Sequence, residues 1–441
     1  MPFDSPCPCF QTGLQSIGLF WLVNESSMKI KMVLAIDIIL VVVSACGMRP
    51  SATTSVPVAS AVATPIHVAS MVETPTQTPT LTDTPIPPPP DLPLAPAPVL
   101  VRIDFQDANH GWGIASNGSG SILRTVAGGL TWLNATPPGG TGIGYSTGFF
   151  ALSINVAWVL VPNVDFYTGN LFHTTDGGST WTTIPVPVGE ADIQFLDDNT
   201  GRILANRGAG AGSNAVEMYQ TSDGGTTWIS AFHNNPTQTG SSSSLPVGGI
   251  KNGMVFIDAN TGWVTGSRPV DGDVYLFVTH DGGVSWAQQT ISLPSVLMTN
   301  QFLVGAPSFF GQDGYLPISI RSANTVLQTF YVTHDGGITW EGDPTNGQKI
   351  LPSPGAYSFA DAANGFDWNG GFDLFYTIDS ASHWTSLKPN LDLSGRLTQL
   401  EFVPGQTGKF TGWALTSVDD SGHSQLYQTD DSGANWKPLI P

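Results

Sequence analysis

From about residue 100 onward, the apolar residues come mostly as short runs separated by Gly, Asp, Asn and Thr. That pattern predicts many short strands joined by tight turns, not long amphipathic helices. Seven of these runs are Ile122-Leu123, Leu171-Phe172, Met218-Tyr219, Tyr275-Leu276-Phe277, Phe330-Tyr331, Leu374-Phe375-Tyr376 and Leu426-Tyr427. Each leads into an octapeptide of the form T-x-D-G-G-x-T-W or a degraded copy of it. The octapeptides end at Trp132, Trp181, Trp228, Trp286, Trp340, Trp384 and Trp436, spaced by 49, 47, 58, 54, 44 and 52 residues. Self-similarity at about this period is the mark of a repeat architecture, and here each repeat has room for four short strands.

A second motif lies upstream of each octapeptide. It is clearest at Phe105–Trp112, Phe195–Arg202, Phe256–Trp263 and Phe359–Phe366, where Phe is followed by an Asp/Asn/Gly turn and usually another aromatic residue. Degenerate forms lie around 309–314 and 402–413, and the second repeat keeps only Phe149-Phe150 and Trp158. An inner strand, a hairpin turn and a second strand account for it. The expected fold is all-β: a seven-bladed β-propeller of four-stranded blades over residues 99–441. In the octapeptide, Asp176, Asp223, Asp281, Asp335, Asp379 and Asp431 are expected to accept hydrogen bonds from their own turn, and the glycines to supply positive φ. Trp then opens the outer strand and packs on a neighbouring sheet. Ala127 replaces the Asp in the first copy, and Ser380-Ala381 replace the glycine pair in the sixth.

The octapeptide resembles the Asp-box, or BNR, repeat. Combined with F-x-D-x-x-x-G-W it resembles the propellers of the photosystem II assembly and stability factor family, over essentially all of residues 100–441. That resemblance implies a noncatalytic, protein-binding scaffold. Related repeats also occur in bacterial lipoproteins, and Asp-box propellers include sialidases and xyloglucan-cleaving glycosidases, so the site must discriminate.

The amino-terminal part reads differently. From Met28, a basic start (Lys29, Lys31), an apolar run from Met32 to Val43 and Ser44-Ala45-Cys46-Gly47 describe an export signal over 28–45. The run is too short for a ~30 Å hydrocarbon core. Val43-Ser44-Ala45-Cys46 resembles the bacterial lipobox, which makes Cys46 the expected acyl acceptor and the membrane a partner through that lipid. Asp37 within the apolar run departs from the usual pattern. Residues 1–27 are expected to be a non-native upstream segment, because a start at Met28 restores the normal signal layout. Residues 46–98, rich in Thr, Pro and Ala, are expected to form an extended tether.

Charge and residue counts narrow the chemistry. With 15 basic against 34 acidic residues, the net charge of −19 leaves no basic stripe for phosphates, so nucleic acid is not an expected partner. The three cysteines all precede residue 47, which removes thiol chemistry, disulfides and Cys-based zinc sites from the folded region. The arginines at 102, 124, 202, 207, 268, 321 and 396 lack the segment that marks a sialidase arginine triad. The glutamates there are Glu190, Glu217, Glu341 and Glu401. Ten Asp residues are claimed by turns: the six named above with Asp107, Asp197, Asp258 and Asp361. No histidine spacing fits a metal, and Asp271-Gly-Asp273 lacks a full calcium ligand set. The reading is therefore a noncatalytic, lipid-anchored envelope protein with no cofactor, no metal and no catalytic residue, binding a protein or a glycan. An extracellular glycoside hydrolase is the alternative. Specificity is expected in the Gly/Ser-rich insertions near 136–144, 208–213 and 234–246.

Overall fold

A computed structural model of the protein describes residues 91–322, 325–342, 350–352, 355–405 and 408–439. The upstream segment, the export signal, Cys46 and the tether as far as residue 90 lie outside the described residues. The fold is all-β, and the helical element among the described residues is one short 3-10 turn, Ser295–Leu297.

The first repeat shows how a blade is made. Its strands Leu100–Phe105, Gly111–Ala115, Ser121–Thr125 and Leu133–Asn134 pair antiparallel in that order. The second, third, sixth and seventh repeats form four-stranded sheets in the same way. The fourth and fifth share one nine-stranded sheet, joined through the pair Ser267↔Leu303, so six hydrogen-bonded sheets stand where seven separate ones were expected. The cause is local. The inner strand of the fifth repeat is broken into Gln301–Val304 and Ser308–Phe310, both paired with Asp313–Arg321. The break contains Gly305 and Pro307, and proline has no N–H for the ladder.

Seven apolar clusters hold these units together, and each is built from two successive repeats. One of them joins the last repeat to the first, packing Trp413, Leu415 and Leu426 against Leu100, Ile103 and Phe105. The ring thus closes through side chains. Among the described residues no strand is exchanged across the seam, since the first and seventh sheets each contain only their own strands.

The two sequence motifs meet at these seams. The Phe ending an inner strand stacks on the aromatic residue opening the second strand of the preceding blade. Phe105 lies 3.6 Å from Trp413, Phe195 3.7 Å from Trp158, Phe359 3.6 Å from Tyr315 and Phe402 3.7 Å from Phe366, all within 13° of parallel. In the third blade Arg202 takes the aromatic position, and its guanidinium sits 5.1 Å from the Phe256 ring. The octapeptide Trp meets the same Phe edge-on, as in Phe195–Trp228 and Phe402–Trp436. The four stacked seams are therefore three-ring units, a geometry favoured by the ring quadrupoles, whereas the Phe149–Trp112 and Phe309–Trp263 pairs are tilted.

Residues 92–95, assigned to the tether by composition, lie on the outer edge of the first blade. Leu94 bridges to Leu133, and the Ala95 N–H donates to the Trp132 carbonyl at 2.9 Å.

Candidate functional site

The turn carboxylates are occupied. In six octapeptides, Asp Oδ1 accepts the backbone N–H four residues on at 2.8–2.9 Å, from Thr180, Thr227, Ser285, Thr339, His383 and Asn435. Oδ2 takes the side chain of the same residue, for example Thr339 Oγ1 at 2.7 Å. These donors hold the carboxyls below the usual range, that of Asp335 down to about 2. The first copy lacks the Asp but keeps the Thr hydroxyl, with Thr125 Oγ1 accepting the Gly129 N–H at 3.0 Å. In the sixth, Ser380 and Ala381 sit at φ +57° and +60°, where the first five copies have glycine; the seventh has Ser432 at φ +61° followed by Gly433.

The indoles follow the same logic. Trp181, Trp228, Trp286 and Trp436 each donate from Nε1 to the glycine carbonyl three residues back. Trp132, Trp340 and Trp384 find no acceptor for that N–H. In the second motif Asp107, Asp197, Asp258 and Asp361 each accept two backbone N–H groups at 2.7–2.9 Å. All ten aspartates therefore support turns.

Open chemistry lies at the other end of the blades. In an antiparallel meander, the connections between second and third strands share one end with the connections between blades, opposite the two turn motifs. At that end the inner strands form a cleft of about 540 Å³, lined by Arg102, Glu190, Asp192, Asn206, Lys251 and Asn252 among others. Inner strands alternate, so that Ile103 and Phe105, Ile193 and Phe195, and Leu400 and Phe402 enter the seams. The intervening Arg102, Asp104, Asp192, Gln194, Gln399 and Glu401 take the other face. Some of these tie one inner strand to the next. Gln194 accepts the Phe256 N–H at 2.7 Å and donates to its carbonyl at 3.0 Å. Gln399 and Glu401 accept the N–H groups of Ile103 and Phe105 across the closing seam, both at 2.9 Å.

Three carboxyls around Arg102 are pushed up, mainly by burial. Burial raises both Glu401 and Asp104, the Asp104 charge adds to the rise at Glu401, and Arg102 opposes the rise at each. Asp192 is raised by burial, with Arg102 opposing and Glu190 adding to the rise. Its neighbour Lys251 is buried without a carboxylate partner. The ammonium donates to the carbonyls of Asn214 (2.9 Å), Val247 (2.7 Å) and Gly249 (3.0 Å), and burial pulls its pKa to about 7. These three contacts fix the connection that follows the third blade.

Two other candidate carboxylates have structural partners. Glu217 pairs with Arg207 at 3.0 Å, and Asp273 pairs with Arg268 at 3.1 Å. Among the described residues no group of three or more His, Cys, Asp or Glu is placed to hold a metal. Of the expected insertions, 208–213 is not a loose loop. It is the end of a long hairpin formed by Gly201–Gly210 and Ser213–Thr221. Asp192, Asp104 and Lys251 were not singled out in the sequence. The signal for the first two was the polar parity of the inner strands, visible once those strands are aligned on their terminal Phe.

Repeated Asp-box octapeptides, stacked seams and a ring of antiparallel sheets define the class as a BNR/Asp-box β-propeller. Within it, the chain resembles the photosystem II assembly factor family. A family profile described as "Photosynthesis system II assembly factor YCF48" matches residues 90–252. A xyloglucanase from a Paenibacillus species is 28% identical over 247 residues, which are 56% of this chain. The chain spans only 21% of that relative's length. Similar solved structures include YCF48 bound to a D1 peptide, at 15% identity over 78% of this chain and 93% of that one, with a TM-score of 0.45. YCF48 from Cyanidioschyzon merolae shares 18% identity over 73% and 94%, with a TM-score of 0.45. An ulvan lyase shares 11% over 80% and 97%, with a TM-score of 0.44.

Proposed function

We propose that this protein is a noncatalytic propeller that binds a partner protein at the channel-mouth end of its ring, held at the cell envelope by a lipid on Cys46. One observation carries the noncatalytic reading. The open carboxylates of the cleft, Glu190 just before the strand Ala191–Phe195 and Asp192 within it, lie two residues apart on one side of the cleft, whereas a glycosidase needs two carboxyls flanking the scissile bond from opposite sides. Similarity to the assembly factor family over 90–252 supports the scaffold reading. The anchor rests on the lipobox-like Val43-Ser44-Ala45-Cys46, and export on the basic and apolar run before it.

The second reading is a polysaccharide-cleaving enzyme. It is favoured by the likeness to a xyloglucanase and by the raised pKa of Asp192, which suits a general acid. Incubation of the purified protein with xyloglucan, scored by release of reducing ends, separates the two. Release that disappears in Asp192→Asn would establish the enzyme and end the scaffold reading. For the anchor, metabolic labelling with a palmitate analogue is expected in the parent and absent in Cys46→Ala. Equal labelling of both would refute it.

A further inference from the structure

We propose that the groove beside the second blade's Asn163–Thr168 hairpin is the docking site for an extended segment of a partner protein, with apolar side chains in the groove and an Arg or Lys side chain reaching the channel mouth. This rests on the protein-binding reading above and gives its ligand a chemistry. The groove, about 380 Å³, runs between Gly139–Gly142 and the hairpin, and its walls include Val161, Val164, Phe166 and Phe172.

The hairpin presents apolar surface that the fold does not use. Val164 is 99% exposed, Tyr167 62% and Phe166 57%, and Tyr145 stands nearby at 77%. Scattered exposed apolar residues are ordinary, but Val164 and Phe166 lining one groove, with Tyr145 lining the cleft that shares Ser146 with it, mark an interaction surface. The hairpin is also held rigidly. Asp165 Oδ1 accepts the N–H groups of Tyr167 and Thr168, both at 2.9 Å. Arg207 donates to the Tyr167 carbonyl at 3.3 Å and to the Pro187 carbonyl at 2.8 Å. Phe166 occupies the left-handed region at φ +58°, where glycine would be unstrained. A strained backbone that holds an aromatic ring in solvent fits a surface prepared for a partner.

Charge complementarity identifies the occupant. Ser146 lines both the groove and the channel mouth, so the two are continuous. In the mouth, Glu190 and Asp192 have no side-chain hydrogen bond or ion pair; Arg102 opposes the rise at Asp192, and the ammonium of Lys251 on the same wall is taken up by three backbone carbonyls. A cation entering from the groove would meet two unpaired carboxylates, and the net charge of −19 draws it in from a distance. An acidic segment would meet repulsion at the same place.

The test uses the whole chain and three fluorescein-labelled decapeptides, identical and leucine-rich except for a central Arg, Gln or Glu, followed by fluorescence anisotropy. The Arg peptide is expected to bind at least ten-fold more tightly than the Gln peptide, the Glu peptide most weakly, and the preference to shrink as salt rises. Glu190→Gln with Asp192→Asn should bring Arg to the Gln level. Val164→Ser with Phe166→Ser, both exposed and both lining the groove, should weaken all three alike, with the thermal melt unchanged. Equal binding of the three peptides, or none, would overturn the proposal without touching the protein-binding reading. Binding of a xyloglucan oligosaccharide that is lost in the same variants would overturn it in favour of a glycan subsite. Cleavage of xyloglucan would overturn the parent reading instead.

Discussion

Closing the ring without an exchanged strand places unusual weight on the seam between the last and first blades, and Trp413→Ala is the direct probe of it. Trp413 is fully buried, stacks on Phe105 at 3.6 Å and 4°, and donates from Nε1 to the Gly128 carbonyl at 2.9 Å. A buried aromatic side chain removes about 150–250 Å² from water. At about 25 cal/mol per Å² that is roughly 4–6 kcal/mol, and truncation to Ala at such sites costs about 3–5 kcal/mol. Gln428 also reaches the Gly128 carbonyl, at 3.4 Å, which softens the loss of the indole donor. The expected cost is about 4 kcal/mol. Trp158→Ala is the matched control at an internal seam, with a 3.7 Å stack on Phe195 and a 3.0 Å bond to the Gly224 carbonyl. Both variants should lose similar stability in urea unfolding. Only Trp413→Ala should accelerate hydrogen exchange in Leu100–Phe105 and Leu397–Pro404, because chain continuity still bridges the internal seam. A loss below about 1 kcal/mol in Trp413→Ala, or unchanged exchange in those two strands, would show that closure is held elsewhere.

Other perturbations test the turns and buried charges. Asp281→Ala removes acceptors for the Ser285 N–H and hydroxyl and should cost about 1–3 kcal/mol in urea unfolding, while Ala127→Asp, which offers the same acceptor to Thr131, should gain about 1 kcal/mol. Asp367 is buried with Oδ2 unpartnered, and burial alone carries its pKa up to about 8. The folded protein therefore keeps that proton to about pH 8, whereas the unfolded chain releases it near 3.9, so stability should fall as pH rises from 4 to 8. Asp367→Asn should flatten that slope, raising the melting temperature at pH 8 and changing it little at pH 4. A variant whose slope matches the parent's would refute the assignment. Lys251→Met leaves three carbonyls without their donor and should cost about 2–4 kcal/mol. Faster proteolysis within 234–249 is its signature.

How much could be read before folding differs between motif and site. Turn chemistry is local. An Asp four residues from the N–H it accepts, and a glycine at positive φ, are set by the few residues around them, so the octapeptides and the F-x-D turns were legible in the chain. The strand runs were legible for the same reason, since alternation and turn spacing are short-range properties. The seven-fold repetition of these local units is what announced a propeller.

Contacts between blades are not local. The stack of Phe105 on Trp413 joins residues at opposite ends of the fold, and no spacing rule pairs them. The same holds for the cleft. Arg102 meets Asp192 only because inner strands of different blades converge on one axis, and the carboxyl shifts follow from that enclosure. Residues 208–213 read as a Gly/Ser-rich loop insertion by composition, yet pairing with the facing strand makes them the end of a hairpin. The merger of the fourth and fifth sheets needed the splayed strand at Gly305 and Pro307 to reach Ser267. The sequence by itself determined the repeat, its turns and the all-β architecture, because those depend on interactions within a few residues. Tertiary structure alone decided how the ring closes, which carboxylates remain free and where apolar surface stays uncovered, because burial and charge proximity are properties of assembled strands.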